Sequence, residues 1–349
     1  MQTDAGRPKP EADGPPDGQA SCLPHRARAS RLPHRDAGQG SDHQGLSPGG
    51  SDTPGRRLTD LSGTTRVVAV FGHPVAHSLS PAMQNAAFDA LGLDWVYIAC
   101  AVPPEAVGTA VAAIRALGWA GANVTIPHKA AVVPYLDEVD DTVRCLGAAN
   151  TIRYMDGRLT GYNTDGPGFL RSLEEGGHSV GGKRVAVLGA GGACRAVAHA
   201  LAHAGAHVHL LARRPPQAEE VAALVGRSGA PRPAVHDLHG AGAREAVGSA
   251  DVVVDTTSHG MAPHVGVPPV VPEEWLRAEQ VVCDLTYNPR ETTLLKAAQR
   301  RGASTVDGTG MLVQQGAIAF EHWVGRPAPV EAMRAALLAA LESRQQAAD

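Results

Sequence analysis

Within Gly121–Lys129 the side chains of Asn123, Thr125 and Lys129 offer an amide, a hydroxyl and an ammonium group. Asn123 and Thr125 are two residues apart, so on an extended chain they project from the same side. Pro127 cannot continue a hydrogen-bonded ladder, so the strand must turn there, and Lys129 is expected where a helix begins. Such a surface suits a small, polyhydroxylated, anionic molecule. Taken alone, the stretch reads more readily as a strand end followed by an exposed lysine. Two more hydroxyls stand at Ser78 and Ser80. Ser80 precedes Pro81, a good N-cap and N1 pair for a helix carrying Met83, Ala87 and Leu91 on one face. Ser78 is expected to have no capping duty, which favours a polar ligand near this loop.

A second chemistry stands at Gly189-Ala190-Gly191-Gly192-Ala193-Cys194. The apolar run Val185–Leu188 enters it, and a helix to His203 is expected to leave it. Strand, glycine turn and helix form a dinucleotide fingerprint: Gly189 permits the turn, and Gly191 lets backbone approach a pyrophosphate at the positive helix end. The next strand, His207–Leu211, ends in Ala212-Arg213-Arg214. No acid stands there to grip a ribose hydroxyl, and two arginines favour a 2′-phosphate, hence NADP over NAD.

These groups need rigid elements to hold them. Strands are expected at 67–71, 96–100, 121–124, 185–188, 207–211, 251–255, 281–285 and 304–306, separated by helices at about 104–117, 129–136, 166–173, 217–225, 292–301, 311–323 and 330–343. The alternation implies α/β architecture with parallel sheets. Asp156-Gly157 closes a hairpin after Arg153-Tyr154. Residues 1–64, rich in Pro, Gly, Arg, Asp and Ser, lack an apolar period and are expected to be disordered.

The 349 residues carry a formal net charge of −4, so no global basic field favours nucleic acid. No apolar run reaches the roughly 18–20 residues of a membrane span, and no signal segment opens the chain, so a cytoplasmic protein is expected. Five scattered cysteines without a CxxC pair read as reduced thiols. His203, His207 and His209 lack a carboxylate at ligand spacing, so no metal is expected; His73, His77 and His128 read as local hydrogen-bonding residues.

Taken together, six segments resemble the shikimate dehydrogenase family: 71–81, 121–129, 147–151, 163–166, 189–196 and 307–315. The resemblance covers about Val67 to Leu341. It implies a two-domain α/β protein, with a substrate domain of residues 66–164 and 308–349 and a Rossmann-type NADP domain of residues 165–307. It implies NADP-dependent interconversion of 3-dehydroshikimate and shikimate in aromatic amino-acid biosynthesis. Ser78 and Ser80 would hold the substrate carboxylate, and Asn123, Thr125, Asn150, Asp165 and Gln315 the ring hydroxyls. Tyr287 would lie near the substrate, and Lys129 and Asp165 would form the catalytic pair. The dinucleotide would be met by Gly189, Ala190, Gly191, Gly192, Ala193, Ala212, Arg213, Arg214, Thr256, Thr257, Ser258, Leu285, Gly308 and Met311. The partners implied are small molecules, with no nucleic acid or membrane, and the chain would be a monomer or homodimer. Two departures stand out: Ala212-Arg213-Arg214 replaces an Asn-Arg-Thr or Asn-Arg-Ser ending, and Asp255 stands where Asn is common. A quinate/shikimate dehydrogenase, an aminoshikimate dehydrogenase and a non-catalytic NADP-binding regulator are the alternatives. Ser80 and the arginines argue against the first. The presence of both Lys129 and Asp165 argues against the last.

Overall fold

The computed structural model describes residues 61–346. The expected disordered extension thus lies outside the described residues except for 61–64, where the Thr64 hydroxyl donates to Asp94 at 2.9 Å.

The chain builds two six-stranded sheets in succession. The first half runs β1 (Arg66–Gly72), α1 (Ser80–Ala90), β2 (Trp95–Ala101), α2 (Val107–Ala116), β3 (Gly121–Val124), β4 (Glu138–Val139), α3 (Asp141–Leu146), β5 (Thr151–Met155), β6 (Arg158–Tyr162) and α4 (Asp165–Glu175). The sheet order is β2-β1-β3-β5-β6-β4. β1 is parallel to β2 and β3, as expected, but β5 is antiparallel to both β3 and β6. The hairpin dictates the β5–β6 pairing: Asp156 and Gly157 have φ of 52° and 78°, the two-residue turn that reverses a strand beside itself.

The second half runs β7 (Arg184–Leu188), α5 (Gly192–His203), β8 (His207–Ala212), α6 (Pro215–Arg227), β9 (Ala234–Asp237), α7 (Ala241–Gly248), β10 (Val252–Asp255), β11 (Val281–Asp284), α8 (Thr293–Arg300) and β12 (Ser304–Val306). Its strands are all parallel, in the order β12-β11-β10-β7-β8-β9. The order reverses between β7 and β10, and such a switch point leaves a crevice beyond the strand ends.

The chain then returns. α9 (Gly308–Val324) and α10 (Val330–Gln346) pack on the first sheet, in a core with Val68, Met83, Phe88, Phe320, Trp323 and Leu337. The Trp323 indole donates to the Ile152 carbonyl at 2.9 Å. That contact needs Gly121, because a Cβ there would lie 2.0 Å from the Ile152 oxygen and 2.6 Å from the indole nitrogen.

α4 connects the two halves. Gly166 and Gly168, which flank Pro167, make this possible. A Cβ at Gly166 would stand 2.7 Å from the Ala196 carbonyl of α5, and one at Gly168 would stand 2.6 Å from the Gln315 nitrogen of α9. The two glycines let one helix press against both neighbours, and they fix Asp165 at its first turn between the sheets.

Three local expectations fail. The helix expected after Lys129 is a turn followed by one 3₁₀ turn at Val133–Tyr135. Pro134 lacks the N–H that would continue an α-helical ladder, and Leu136 is already extended. Ser80 does not cap α1. The helix starts at Ser80, Leu79 holds the cap position, and the Ser80 N–H donates to Ser78 Oγ at 3.3 Å. Ser78 therefore does have a structural duty. Finally, α3, β4, β9 and α7 lie outside the expected elements. Each is short, and β9 and α7 lack a strong apolar period. For α3 a local signal exists, since Asp140 accepts from the Val143 N–H at 2.7 Å and Gly147 ends the helix at φ 65°.

Candidate active site

Ser78, Ser80, Asn123, Thr125, Lys129, Asn150, Asp165, Tyr287 and Gln315 all line one cavity of about 240 Å³. They arrive from separate elements: the loop after β1, the end of β3, the residue before β5, the first turn of α4, the loop after β11, and α9. Val75 and Leu79 add apolar wall, and Ala193, Leu285, Gly308 and Met311 close the side toward the second sheet.

The polar groups form one continuous network. Lys129 Nζ donates to Asp165 Oδ2 at 2.6 Å, and Asn150 Nδ2 donates to Asp165 Oδ1 at 2.8 Å. Thr164 presents its backbone N–H to Asn150 Oδ1 at 2.8 Å, which fixes the orientation of that amide. Asn123 Nδ2 donates to the Asn150 carbonyl and to Thr151 Oγ1 at 3.1 and 3.0 Å. Its Oδ1 accepts from the Tyr97 hydroxyl at 2.7 Å. Both amide donors of Asn123 are thus occupied by the protein, so it offers a ligand acceptor character only, whereas Asn150, whose amide also donates to Thr164 Oγ1 and whose Oδ1 also accepts from the Thr151 hydroxyl, is held on both sides and orients Asp165. Burial pushes the Tyr97 phenol above its ordinary range, so it stays a fixed donor behind Asn123. Tyr97, Thr151 and Thr164 were not among the expected site residues. They lie behind the wall, and only the paired strands bring them there.

A second cavity of about 270 Å³ shares Lys129 and Asp165 with the first. Its far wall is Ala190, Gly191, Gly192 and Arg195, and Ile126 and Pro127 form its rim. Gly189 has φ 118°, and a Cβ there would meet Thr256 Oγ1 at 2.6 Å. A Cβ at Gly191 or Gly192 would meet nothing within 4 Å, so the N-terminal turn of α5 is open to an anionic group. Cys194 turns inward, its thiol donating to the Gly189 carbonyl at 3.1 Å, with burial pushing its pKa up to about 12. It is a packing residue of the turn.

The remaining residues expected to meet a dinucleotide do not line either cavity; they continue along the rim of the second sheet. Ala212, Arg213 and Arg214 follow β8, and both arginines are exposed, with no ion pair among the described residues. Thr256, Thr257 and Ser258 follow β10. Thr256 Oγ1 donates to the Leu188 carbonyl at 2.7 Å, and the Thr257 N–H donates to Asp255 Oδ1 at 2.8 Å. Open glycines at a helix start, with unpaired arginines at the next strand end, fit a phosphorylated dinucleotide.

Asp255 is opposite Asp284 in the β10–β11 register, and both are buried. Burial, and secondarily the Asp284 carboxylate, push Asp255 up to about 7.

His128 is a structural residue, its ring sharing a hydrogen bond with the Val102 carbonyl at 2.7 Å. Among the described residues no group of three or more His, Cys, Asp or Glu side chains is arranged to hold a metal. No helix there is long and apolar enough to cross a membrane.

Residues 70–152 match the shikimate dehydrogenase substrate-binding domain, and residues 308–338 match the shikimate 5′-dehydrogenase C-terminal domain. A shikimate dehydrogenase (NADP(+)) of Moorella thermoacetica is 52% identical over 277 residues, 79% of this chain and 94% of that one. The chain belongs to the shikimate dehydrogenase family. Solved structures of the family superpose closely. A shikimate dehydrogenase in complex with NADP+ is 40% identical with a TM-score of 0.77, covering 80% of this chain and 97% of that one. The shikimate 5-dehydrogenase of Thermus thermophilus, in complex with NADP(H) and shikimate, is 38% identical with a TM-score of 0.70, covering 79% and 99%. Lys129 and Asp165 stand at the junction of the two adjoining cavities.

Proposed function

We propose that this protein is an NADP-dependent shikimate dehydrogenase, reversibly reducing 3-dehydroshikimate to shikimate in the cytoplasm for aromatic amino-acid synthesis. One observation carries the reading: the Lys129–Asp165 pair stands where the polar cavity meets the cavity on the glycine turn. Residues 66–164 with 308–349 would serve as the substrate domain and 165–307 as the NADP domain. Cys100, Cys194 and Cys283 carry free thiols, in keeping with a reducing compartment.

Bound NADP would supply the hydride in one direction and accept it in the other. Gly189–Ala193 and the start of α5 would hold its pyrophosphate, and Arg213, with Arg214 beside it, its 2′-phosphate. Thr256–Ser258, Leu285, Gly308 and Met311 would complete the wall, with Ala212 at the strand end. In the substrate cavity, Ser78 and Ser80 would bind the carboxylate. Asn123, Thr125, Asn150, Asp165 and Gln315 would orient the ring hydroxyls, with Tyr287 closing over them. Lys129 Nζ would give a proton to the developing alkoxide during reduction. In oxidation the neutral amine would take the hydroxyl proton. Asp165, held by Asn150, keeps Lys129 aimed and balances its charge. General acid–base help of this kind is typically about 10²–10⁴-fold.

The test is reduced-cofactor formation by the purified protein, with shikimate or quinate crossed with NADP or NAD. Turnover confined to shikimate with NADP is expected. Comparable turnover with quinate or NAD would move the protein to a broader or catabolic specificity. No turnover with any pair would refute the reading, and NADP titration would then separate a regulator from an enzyme of another substrate. Sedimentation of the same sample distinguishes monomer from homodimer.

A further inference from the structure

We propose that Arg344, in the last helix, is a positioning residue that sets the preference for a carboxylate-bearing substrate; this rests on the function proposed above. Arg344 lies near the end of α10 and is half-buried. Its guanidinium reaches back across 266 residues of chain to donate to the His77 carbonyl at 2.5 Å and the Ser78 carbonyl at 3.1 Å. Those carbonyls belong to the loop whose side chains His77, Ser78, Leu79 and Ser80 line the polar cavity. Arg344 makes no ion pair with a carboxylate among the described residues, so its full charge stands against this loop.

Three physical consequences follow. First, the two carbonyls are drawn toward the guanidinium, so the amide N–H groups of the same peptide units point away from it. The Ser78 N–H is used by the Val75 carbonyl at 2.9 Å, whereas the Leu79 N–H has no acceptor among the described residues. Second, α1 begins at Ser80, so its positive end adds to the same side. Third, hydroxyls alone are neutral donors, and hydrogen bonds to a charged group are stronger when a cation polarises the donors. The serines of this loop would thus hold a carboxylate with a positive charge behind them. The reach of that charge is visible at Tyr287 on the cavity wall: burial pushes its phenol up, and the Arg344 charge opposes the shift.

A merely structural Arg344 would tie α10 to the loop and affect stability alone. The two roles separate in kinetics. Arg344→Gln and Arg344→Lys are compared with the wild type using shikimate and its methyl ester, with NADP saturating. With Arg344→Gln, KM for shikimate is expected to rise about tenfold, with kcat within about threefold, as removal of one charge-assisted contact would do. KM for the ester and for NADP should stay put, so the preference for acid over ester narrows by that same factor. Arg344→Lys keeps the charge without the fork and should recover most of the loss. An unchanged shikimate KM in Arg344→Gln, or an equal rise for acid and ester, overturns the proposal. If Arg344→Gln does not fold, Arg344→Met, which keeps an apolar stem without the charge, takes its place: a narrowed preference for acid over ester supports the proposal, and an unchanged preference refutes it. Wild-type enzyme inactive on shikimate would instead bring down the underlying function. The two failures are therefore distinguishable.

Discussion

Two buried aspartates at the mouths of the two sheets have opposite surroundings. Asp165 sits in the first turn of α4, with the Lys129 ammonium at 2.6 Å and the Asn150 amide at 2.8 Å. Asp255 sits at the end of β10, held by the Thr257 N–H, and its cross-strand neighbour is a second carboxylate, Asp284. Asp284 in turn accepts from the Thr286 N–H at 2.9 Å and from the Thr292 hydroxyl at 2.7 Å. One acid is balanced by a cation and sits where the two cavities meet. The other faces a like charge, and burial and that neighbour both favour its protonated form. A carboxylate's role is decided by its partners, and those partners come from other elements.

Removing the cation should give the largest effect. Lys129→Ala is expected to cut kcat at least about a hundredfold while substrate affinity stays within about tenfold, read by steady-state kinetics and titration. Intact turnover would end the catalytic assignment.

On the cofactor side, Arg213→Ala removes one charge-assisted contact, of about 1.5–3 kcal/mol. KM for NADP should rise at least about tenfold and KM for NAD hardly at all. An equal change in both would mean that Arg213 does not read the 2′-phosphate.

The like-charged pair makes a prediction about pH. Asp255 ionises near 3.8 when exposed and at about 7 in the fold, so the folded state binds the extra proton between those values. Stability from this group is therefore lost as pH rises from about 4 to 7, and levels off above. Asp255→Asn removes the like charge beside Asp284. It should raise the melting temperature at about pH 8 by several degrees and leave it nearly unchanged near about pH 4. His199 acts with the opposite slope, since burial and secondarily His203 push it down to about 4 and it resists protonation in the fold. The wild-type-minus-mutant difference removes that contribution. A uniform shift at both pH values would show that packing, not the protonation of Asp255, distinguishes the variants.

The smallest effect is expected behind the wall. Tyr97→Phe leaves Asn123 Oδ1 without its donor, at a cost of about 1–2 kcal/mol in stability. Because the Asn123 amide remains held by Asn150 and Thr151, kcat should change less than about threefold. A larger loss of turnover would mean that Tyr97 orients the site by itself.

Much of the molecule is legible in local signals. Val185–Leu188 running into Gly189–Cys194 can only be strand, turn and helix, because the glycines and the apolar run act within a few residues of each other. Asp156-Gly157 likewise announces its hairpin. The helix expected after Lys129 does not form because Pro134 outweighs the apolar spacing around it. Ser80 reads as a cap from its type and its following proline, yet the hydroxyl accepting that N–H belongs to Ser78, two residues earlier. The short β9 and α7 carry too few apolar residues for a period to emerge.

By itself the sequence determined which groups are present and which short segments must turn, extend or coil, since glycine, proline and apolar spacing act over neighbouring residues. It also carried the family's pattern of segments. Only the tertiary structure decided that Lys129 reaches Asp165, that Tyr97 stands behind Asn123, that two carboxylates share the rim at Asp255, and that Arg344 touches the loop of Ser78. Each of these joins residues tens to hundreds of positions apart. Such contacts depend on sheet order and on the close approaches that Gly121, Gly166 and Gly168 permit, and packing of the whole chain fixes both.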